Sequence, residues 1–465
     1  MTLSSHLREV IRRGKTREQA IPLFAVLLLS ATLHFAWLSH PASVIFDEVT
    51  FGKFINSYCC SHERIFDIHP PHAKLLIAAG ARLLGYRGNV EYRAIDEPYG
   101  DASPFPVRFV PAVAGTLLPL LVYILMLQLG GSRPAALFAA LLVLLDNALI
   151  LQTRIVGLVG ILLSTTLASL VTMLAAIRAQ SHARRSAYCF LAGALAAVAV
   201  GSKVTGLIAT GLIGLCVLVQ IASHIKDKRI VWYWLRKSTW IMTGFVIVYG
   251  LGWKLHFVLL TVPGTGDAWG LPTGEFLADA IKAHATMLST NIDLSAGHPD
   301  GSPWWGWPVM HTPVFYWAHE KARLYLFGNP VIWWSASVTL IAVLVNLVLF
   351  RVCDLKVVSS RTRKPTLWLP IVGFVGAYAP LSQVTRVLLL YHYFTALIFS
   401  ILTVVLWLDN VGWLRADGLT KQRASVYGYL VLVVVGFVSI SPVTYGFDTG
   451  TWLVDYFFEI FPKWR

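Results

Sequence analysis

The sequence predicts an all-α, polytopic membrane protein with about 11 transmembrane helices. The chain has 465 residues, of which 56% are hydrophobic and only 13% are charged, whereas a soluble domain carries roughly a quarter charged residues. Apolar runs long enough to cross a bilayer recur along the chain, and Lys and Arg gather in short loops between them. We therefore predict a single integral membrane domain over residues 1–465, with no soluble domain.

The net charge of +14 has two possible explanations. In a soluble protein it would suggest nucleic acid as a partner. Here the basic residues lie in the loops between apolar runs, so the positive-inside rule explains them and we predict no nucleic-acid partner. None of the five cysteines has a spacing that suggests zinc.

The first part of the chain alternates between the two sides of the membrane. Residues 1–20 hold five basic residues and no cleavable signal, so we predict a cytoplasmic N-terminus. Residues 22–40 are long enough for the first span. They lead to a long loop on the outer side, loop one, which covers residues 41–106. Within it, residues 70–86 place apolar residues at helical spacing opposite Lys74, which predicts a helix lying in the membrane interface.

The remaining spans follow from the same pattern. The apolar stretch 187–225 is too long for one span, and we divide it at Gly-Ser-Lys 201–203. A second long outer loop, loop two, covers residues 261–328 and is rich in Pro, Gly and aromatic residues towards its end. We expect both long outer loops to carry interfacial helices. All strongly basic loops then fall on one side and both long loops on the other. The other predicted spans are 107–129, 134–151, 157–177, 239–260, 329–350, 366–384, 388–408 and 426–445.

Two adjacent acids, Asp47 and Glu48, come directly after the first span. They could simply end that span on the outer side. Ionisable groups are costly at the membrane, however, and usually have a function there. A carboxylate can accept the proton of an attacking hydroxyl, and two neighbouring carboxylates push their pKa values apart. We therefore predict Asp47 and Glu48 as catalytic residues.

The segment DIHPPHAK at 67–74 is a second candidate for chemistry. Its Pro-Pro pair ends any preceding helix, and a helix beginning there would carry His72 and Lys74 in its first turn. A free helix N-terminus suits a phosphate. His69 and His72 also have a spacing that could ligate a metal, although histidines at an interface more often form hydrogen bonds.

Basic residues also stand at the outer ends of predicted spans. Each of these side chains could extend along the apolar surface and place its charge in the polar interface at the end of its own span. The positive-inside rule, however, predicts few basic residues on the outer side of the membrane. A shared anionic partner, such as a lipid-linked phosphate, would explain them together. They are Arg108, Arg154, Lys203 and Arg386. The aromatic clusters at 304–308 and 390–394 fit either an interfacial belt or contacts with sugar or lipid.

Taken together, these segments resemble the protein O-mannosyltransferase family of multi-span glycosyltransferases. Six motifs carry the resemblance, in the order of the family and over most of the chain. They are FDEVTFGKF at 46–54, DIHPPHAKLL at 67–76, DNALILQTR at 146–154, GSKVTGLIA at 201–209, HPDGSPWWGWPV at 298–309 and LYHYF at 390–394.

The resemblance implies a role for each position. Asp47 matches the acid regarded as catalytic in the family, with Glu48 beside it, and Arg108 matches an arginine that would face the lipid phosphate. The donor would be polyprenyl-phosphate mannose, and the acceptor a Ser or Thr hydroxyl of an exported protein, with inversion at the sugar. Lys203 and Arg386 would also bind the donor phosphate. Residues predicted to line the cleft are His69, His72, Lys74, Arg154, Trp305 and His392.

The resemblance further implies a multi-pass protein of the cell membrane with its active site on the outer face, in contact with lipid and without a cofactor or metal. The chain departs from the family at Thr50, where a histidine is usual, and at Val159 and Gly160, where an Asp-Ser pair is usual. Loop two is too short for the β-trefoil module of eukaryotic members, which suggests a bacterial enzyme.

Three other interpretations remain open at this point. The acceptor could be a glycolipid or a cell-wall glycan. The chain could be a non-catalytic member of the family, because of the missing Asp. A transporter would instead place ionisable residues in mid-span and show two related halves; we see neither in the sequence.

Overall fold

The computed structural model describes residues 21–294, 297–349, 366–414 and 420–448. The predicted cytoplasmic N-terminus, the basic loop at 351–364 and the end of the chain lie outside these residues. The fold is built almost entirely of helices. In chain order they are α1 Ile21–Phe35, α2 Glu48–Asn56, α3 His72–Leu83, α4 Phe105–Gln128, α5 Arg133–Leu144, α6 Asn147–Arg154, α7 Val159–Arg178, α8 His182–Ser202, α9 Leu207–Ala222, α10 Lys228–Leu259, α11 Phe276–Asp293, α12 Pro330–Leu349, α13 Trp368–Tyr378, α14 Phe394–Asn410 and α15 Thr420–Tyr445.

The predicted fold class, a multi-span helical membrane protein, is confirmed, whereas the predicted number of 11 spans is not confirmed by the described residues. Among the described residues, seven helical segments are long and apolar enough to cross a membrane, or eight if the bent pair α5 and α6 forms one span. Helix α1 and the segment Pro330–Asn346 of α12 count as shorter apolar helices, and α13 has only 11 residues. The predicted division at Lys203 is confirmed, because α8 ends at Ser202 and a 3₁₀ turn leads into α9.

The core of the bundle depends on small residues. α8 packs against α7 and α10, and α4 packs against α5 and α7. A Cβ atom added at Gly193 of α8 would lie 1.9 Å from the carbonyl oxygen of Ile241, and one at Gly244 of α10 would lie 2.1 Å from that of Phe190. Glycine therefore allows the backbones of α8 and α10 to touch, which is a common packing mode in membranes.

The predicted third span breaks in the middle, where α5 and α6 meet at an angle of 61°. Asp146 lies at this break and caps α6 by accepting a hydrogen bond from the Leu149 N–H at 3.0 Å. It also accepts hydrogen bonds from Trp333 Nε1 at 2.6 Å and from the Asn329 N–H at 3.2 Å. The side chains of α6 are all buried, so its polar residues lie inside the protein and not in a loop.

Loops one and two pack against each other. The Arg64 N–H donates to the carbonyl of Val262 at 2.8 Å, and the Arg64 guanidinium binds both oxygens of Asp267 at 2.5 and 2.9 Å. Loop two also forms an antiparallel hairpin of β1 Val314–His319 and β2 Ala322–Leu326, which the sequence analysis did not predict. The hairpin reaches loop one through a hydrogen bond from the Phe46 N–H to the carbonyl of Tyr316, at 3.1 Å.

The helix predicted at 70–86 is present as α3, and Lys74 lies on the face opposite Leu76 and Leu83 as predicted. In the structure Lys74 is only 1% exposed, whereas Leu76 and Leu83 are 45% and 87% exposed. The reason is that Lys74 forms a buried ion pair with Asp67, so the polar face of α3 points into the protein.

Candidate active site

Asp47 lies at the start of α2, where loop one meets the hairpin of loop two. The preceding residue, Phe46, has a positive φ of 34°, and its ring stacks on that of Tyr316 with centroids 4.2 Å apart. The Asp47 backbone carbonyl accepts the N–H groups of Thr50 and Phe51. Within the described part of the chain, the half-buried Asp47 carboxylate forms no hydrogen bond. It is therefore available to a ligand.

Lys203 lies near Asp47, and Arg386 lies near Lys203. Lys203 Nζ lies 3.4 Å from Nε2 of His392 and 4.9 Å from the ring centre of Tyr391, and its charge acts on the Asp47 carboxylate. The Arg386 guanidinium is close enough to Lys203 to disfavour its protonation. Over the residues that the structure describes, Arg386 has no anionic or hydrogen-bonding partner. Two neighbouring cations without a full set of counter-ions form a natural site for a phosphate.

The environment of Asp47 suits a general base. Burial raises the pKa of Asp47 to about 6, the positive charge of Lys203 opposes this shift, and the negative charge of Asp67 adds to it. A carboxyl group with this pKa is ionised at neutral pH, yet it holds a proton more strongly than an exposed aspartate does. That combination favours proton transfer from a hydroxyl.

Asp67, Lys74 and His69 form a polar network beside Asp47. Lys74 forms an ion pair with Asp67, and its Nζ donates to the carbonyl of His69 at 2.8 Å. Nδ1 of His69 is buried and has no hydrogen-bond partner among the described residues. Burial and the charges of Lys203, Lys74 and Arg386 lower the pKa of His69 well below its usual value. His69 is thus a neutral ring beside the cations.

The structure does not support catalytic use of Glu48. Glu48 is fully buried, and its carboxylate binds the Arg108 guanidinium through Nε at 2.8 Å and Nη2 at 2.9 Å. It also accepts hydrogen bonds from the Tyr99 hydroxyl and from the N–H groups of Ile45 and Val156. With its oxygens occupied by five donors, Glu48 holds the loop together and leaves Asp47 as the available acid.

Arg108 is likewise placed away from the predicted phosphate site. Besides Glu48, its guanidinium donates to the carbonyl oxygens of Leu38, Pro41 and Ser43 at 2.9–3.3 Å. The side chain is 1% exposed. Because its N–H groups are all engaged by the protein, the predicted contact with a donor phosphate does not fit this geometry.

Three residues predicted to line the cleft lie elsewhere. The Arg154 guanidinium donates to four backbone carbonyls at the end of α1, at 2.7–3.0 Å. His72 is buried between α8 and α10, where Nε2 contacts the carbonyl of Val248 at 3.1 Å. Trp305 is 60% exposed and packs on His311. Lys203, Arg386, His69, Lys74 and His392 do come together near Asp47.

Several residues of the site were not predicted. Asp67 begins the DIHPPHAK motif at 67–74, but no role was predicted for it. Tyr316 and Tyr391 lie close enough to Asp47 for its charge to affect them, and the buried Trp307 stacks on His392 with centroids 6.3 Å apart. Trp307 and Tyr391 belong to the aromatic clusters at 304–308 and 390–394, so the sequence did indicate these two residues. Nothing in the sequence indicated Tyr316, because the hairpin that carries it was not expected.

The described residues form no evident metal site. Among the described residues, no group of three or more His, Cys, Asp or Glu side chains converges as metal ligands would. His69 and His72, which the sequence offered as a possible ligand pair, point to different surroundings. Val159, at the position of the usual family Asp, is 5% exposed in the apolar core.

Two family models match most of the chain. Residues 24–261 match the model for dolichyl-phosphate-mannose-protein mannosyltransferase, and residues 276–457 match the model for the C-terminal four-span region of protein O-mannosyltransferase. This chain belongs to the protein O-mannosyltransferase family. The resemblance drawn from the six motifs is thereby confirmed.

Curated members of the protein O-mannosyltransferase family are considerably longer than this chain. Protein O-mannosyltransferase 1 of Drosophila melanogaster is 31% identical over 340 residues, which cover 68% of this chain and 38% of that protein. Protein O-mannosyl-transferase 1 of Mus musculus is 32% identical over 304 residues, 62% of this chain and 40% of the relative. The aligned region thus spans about two fifths of each of these relatives.

Solved structures share the fold. A chain of the S. cerevisiae Pmt1-Pmt2 complex bound to the sugar donor superposes with a TM-score of 0.83 at 17% identity, covering 92% of this chain and 90% of that one. ArnT from Cupriavidus metallidurans superposes with a TM-score of 0.52 at 15% identity, covering 92% of this chain and 65% of ArnT. The architecture of this family member is therefore that of the multi-span glycosyltransferases.

Proposed function

We propose that this chain transfers a mannosyl residue from a polyprenyl-phosphate donor to Ser or Thr hydroxyls of exported proteins. The reaction takes place on the outer face of the membrane, with the N-terminus in the cytoplasm. Family membership supports the reaction class. The observation that carries the proposal is that Asp47, whose carboxylate has no hydrogen-bond partner among the described residues, lies near Lys203, which in turn lies near Arg386.

The two cations and Asp47 have different chemical roles in this reaction. Lys203 and Arg386 hold the donor phosphate, whose lipid tail remains in the bilayer. Asp47 accepts the proton of the acceptor hydroxyl as its oxygen attacks the anomeric carbon. The bond from that carbon to the phosphate oxygen breaks, and the lipid phosphate leaves with the bonding electrons. Attack opposite the leaving group inverts the sugar.

The electrostatics of the site favour this division. The departing phosphate needs no proton but gains negative charge, which fixed cations stabilise. Arg386 presents a planar guanidinium suited to two phosphate oxygens at once. The neutral His69 and His392 can donate or accept hydrogen bonds without adding charge. The donor would bind as a substrate, and no resident cofactor is required for this chemistry.

The test is mannose transfer from radiolabelled polyprenyl-phosphate mannose in membranes that contain the full chain. Asp47→Asn keeps the size of the side chain and removes the base, so we expect a loss of about 10²–10⁴-fold in kcat. Asp101→Asn, an exposed position in the same loop, is the matched control and should retain activity.

The destination of the label decides between the interpretations. Label on protein that is lost with Asp47→Asn supports the proposal. Label on a lipid or glycan fraction, also dependent on Asp47, would keep the mechanism and replace the acceptor. No transfer by correctly folded protein, or full activity of Asp47→Asn, would contradict the proposed mechanism.

A further inference from the structure

Helix α11 of loop two carries an apolar stripe that no described part of the protein covers. Four large side chains of this helix are each 62–69% exposed. At 3.6 residues per turn they fall within an arc of about 60° on one side of the helix. We call them the α11 stripe: Leu277, Ile281, Leu288 and Ile292.

The other faces of α11 are different in character. Asp279 and Met287 are buried against the protein, and Asp279 accepts hydrogen bonds from the Thr273 and Gly274 N–H groups at 2.7 and 3.0 Å. Lys282 and Ser289 lie on a third face and are exposed. The helix therefore has a protein face, a polar face and an apolar stripe, which is the pattern of a helix at a membrane surface.

The contacts of α11 place the stripe beside a spanning helix. His284 binds the Tyr249 hydroxyl of α10 at 2.8 Å and packs on Trp253, with ring centroids 4.7 Å apart. Phe276 contacts Phe257, near the end of α10. α11 thus lies along the last three turns of α10.

The exposed surface of α10 in the same region is also apolar. Val246, Ile247, Leu251, Leu255 and Val258 are 40–60% exposed. Because α10 is one of the helices that qualify as spans, lipid is the expected neighbour of these side chains. The α11 stripe continues that lipid-facing surface.

We propose that α11 docks on the bilayer leaflet next to loops one and two, with the α11 stripe among the lipid chains. The stripe itself contains no charged residue, so docking relies on apolar burial and does not require anionic lipid. A neutral phosphatidylcholine bilayer is therefore a sufficient partner. This inference concerns the surface of the molecule and is independent of the proposed function.

Docking of α11 on the bilayer would also hold in place one wall of a groove that lies beside this helix. On its side away from the stripe, α11 contributes Lys282, Ala283 and Thr286 to a groove of about 90 Å³, whose opposite wall includes Phe66. A smaller cavity of about 40 Å³ shares Phe66 and Ala283 with this groove and reaches Asp67, His69 and Lys74. Helix α11 thus lines two adjoining cavities, and the smaller one is bounded by the polar network beside Asp47.

The test compares cysteine substitutions at two neighbouring exposed positions of α11 that lie on different faces of the helix. Leu288→Cys lies in the stripe and Ser289→Cys on the polar face; both are exposed in the protein itself. The full chain is placed in phosphatidylcholine nanodiscs and treated with a membrane-impermeant maleimide, with the wild-type chain as the blank. We expect the Ser289→Cys thiol to react at least about tenfold faster, because a thiol among lipid chains does not ionise.

A second measurement identifies what covers the stripe. Phosphatidylcholine with a photoreactive group in its tail should form adducts with peptides containing residues 277–292, and Ile281→Cys should be protected like Leu288→Cys. Equal reaction rates at 288 and 289 would overturn the proposal, since the stripe would then face water. Protection at 288 without lipid adducts would also overturn it, because a protein would then cover the stripe.

Discussion

Replacing Arg108 separates a structural role from a catalytic one. In Arg108→Met, the Glu48 carboxylate would remain in a site where it is 0% exposed, with its two shortest charge-assisted contacts, at 2.8 and 2.9 Å, removed. Removing one partner of a buried ion pair destabilises a fold by about 3–5 kcal/mol. Three backbone carbonyls around the guanidinium lose a donor as well.

The expected result is a loss of stability. We expect the midpoint of thermal unfolding in nanodiscs to fall by about 3–5 °C, measured by intrinsic fluorescence and by the fraction that stays monodisperse after heating. Glu48→Gln combined with Arg108→Met removes both charges and leaves none buried alone. The double variant should therefore be more stable than Arg108→Met, with a coupling free energy of about 1–3 kcal/mol.

Donor kinetics provide the decisive contrast. If Arg108 contacted the donor phosphate, Arg108→Met would raise the KM for the donor in a protein of normal stability, and Glu48→Gln would not compensate. An unchanged unfolding midpoint together with a raised donor KM would refute the structural role described above.

Three further predictions concern the site and its support. Asp47 must be ionised to accept a proton, so kcat/KM should rise with pH through about 6. Asp67→Asn removes a neighbouring negative charge and should move this rise to lower pH. A rise that is already complete at pH 5 in the wild-type protein would contradict the assignment of Asp47 as the base. Arg386→Met should raise the donor KM by about 10–100-fold, as expected for lost hydrogen bonds to a charged group, whereas Arg93→Met, at an exposed arginine, should leave it unchanged. Trp333→Phe removes the 2.6 Å hydrogen bond from Trp333 to the Asp146 carboxylate, which caps α6. This change should lower the free energy of unfolding by about 1–3 kcal/mol. An unfolding curve that does not shift would contradict this prediction.

The general architecture could be predicted because the membrane imposes strong patterns. Apolar runs and basic loops indicated a multi-span helical protein, and the interruption at Lys203 was correctly interpreted as the boundary between two helices. The break at Asp146 was not predicted, because the predicted span 134–151 runs through it. Hydropathy records that a segment is polar, but it cannot show that Asp146 is satisfied inside the protein by Trp333 and Asn329.

The candidate site could be predicted only in part, for a related reason. A sequence shows which side chains carry charge, but not which of them find partners. Arg108 and Arg386 look alike along the chain, yet Arg108 is enclosed by a carboxylate and three carbonyls, while Arg386 has no such enclosure among the described residues. Asp47 and Glu48 are neighbours with the same chemistry, and the fold buries one with five donors while it leaves the other open.

The hairpin of loop two has a practical use in protein engineering. Its base is anchored to loop one through the carbonyl of Tyr316, whereas Glu320 and Lys321 form an exposed turn between the paired residues His319 and Ala322. A compact module whose own ends lie close together could be inserted between Glu320 and Lys321 without separating the two strands. Such an insertion would provide a rigid marker for electron cryomicroscopy, carried directly by an element that contacts the residue next to Asp47.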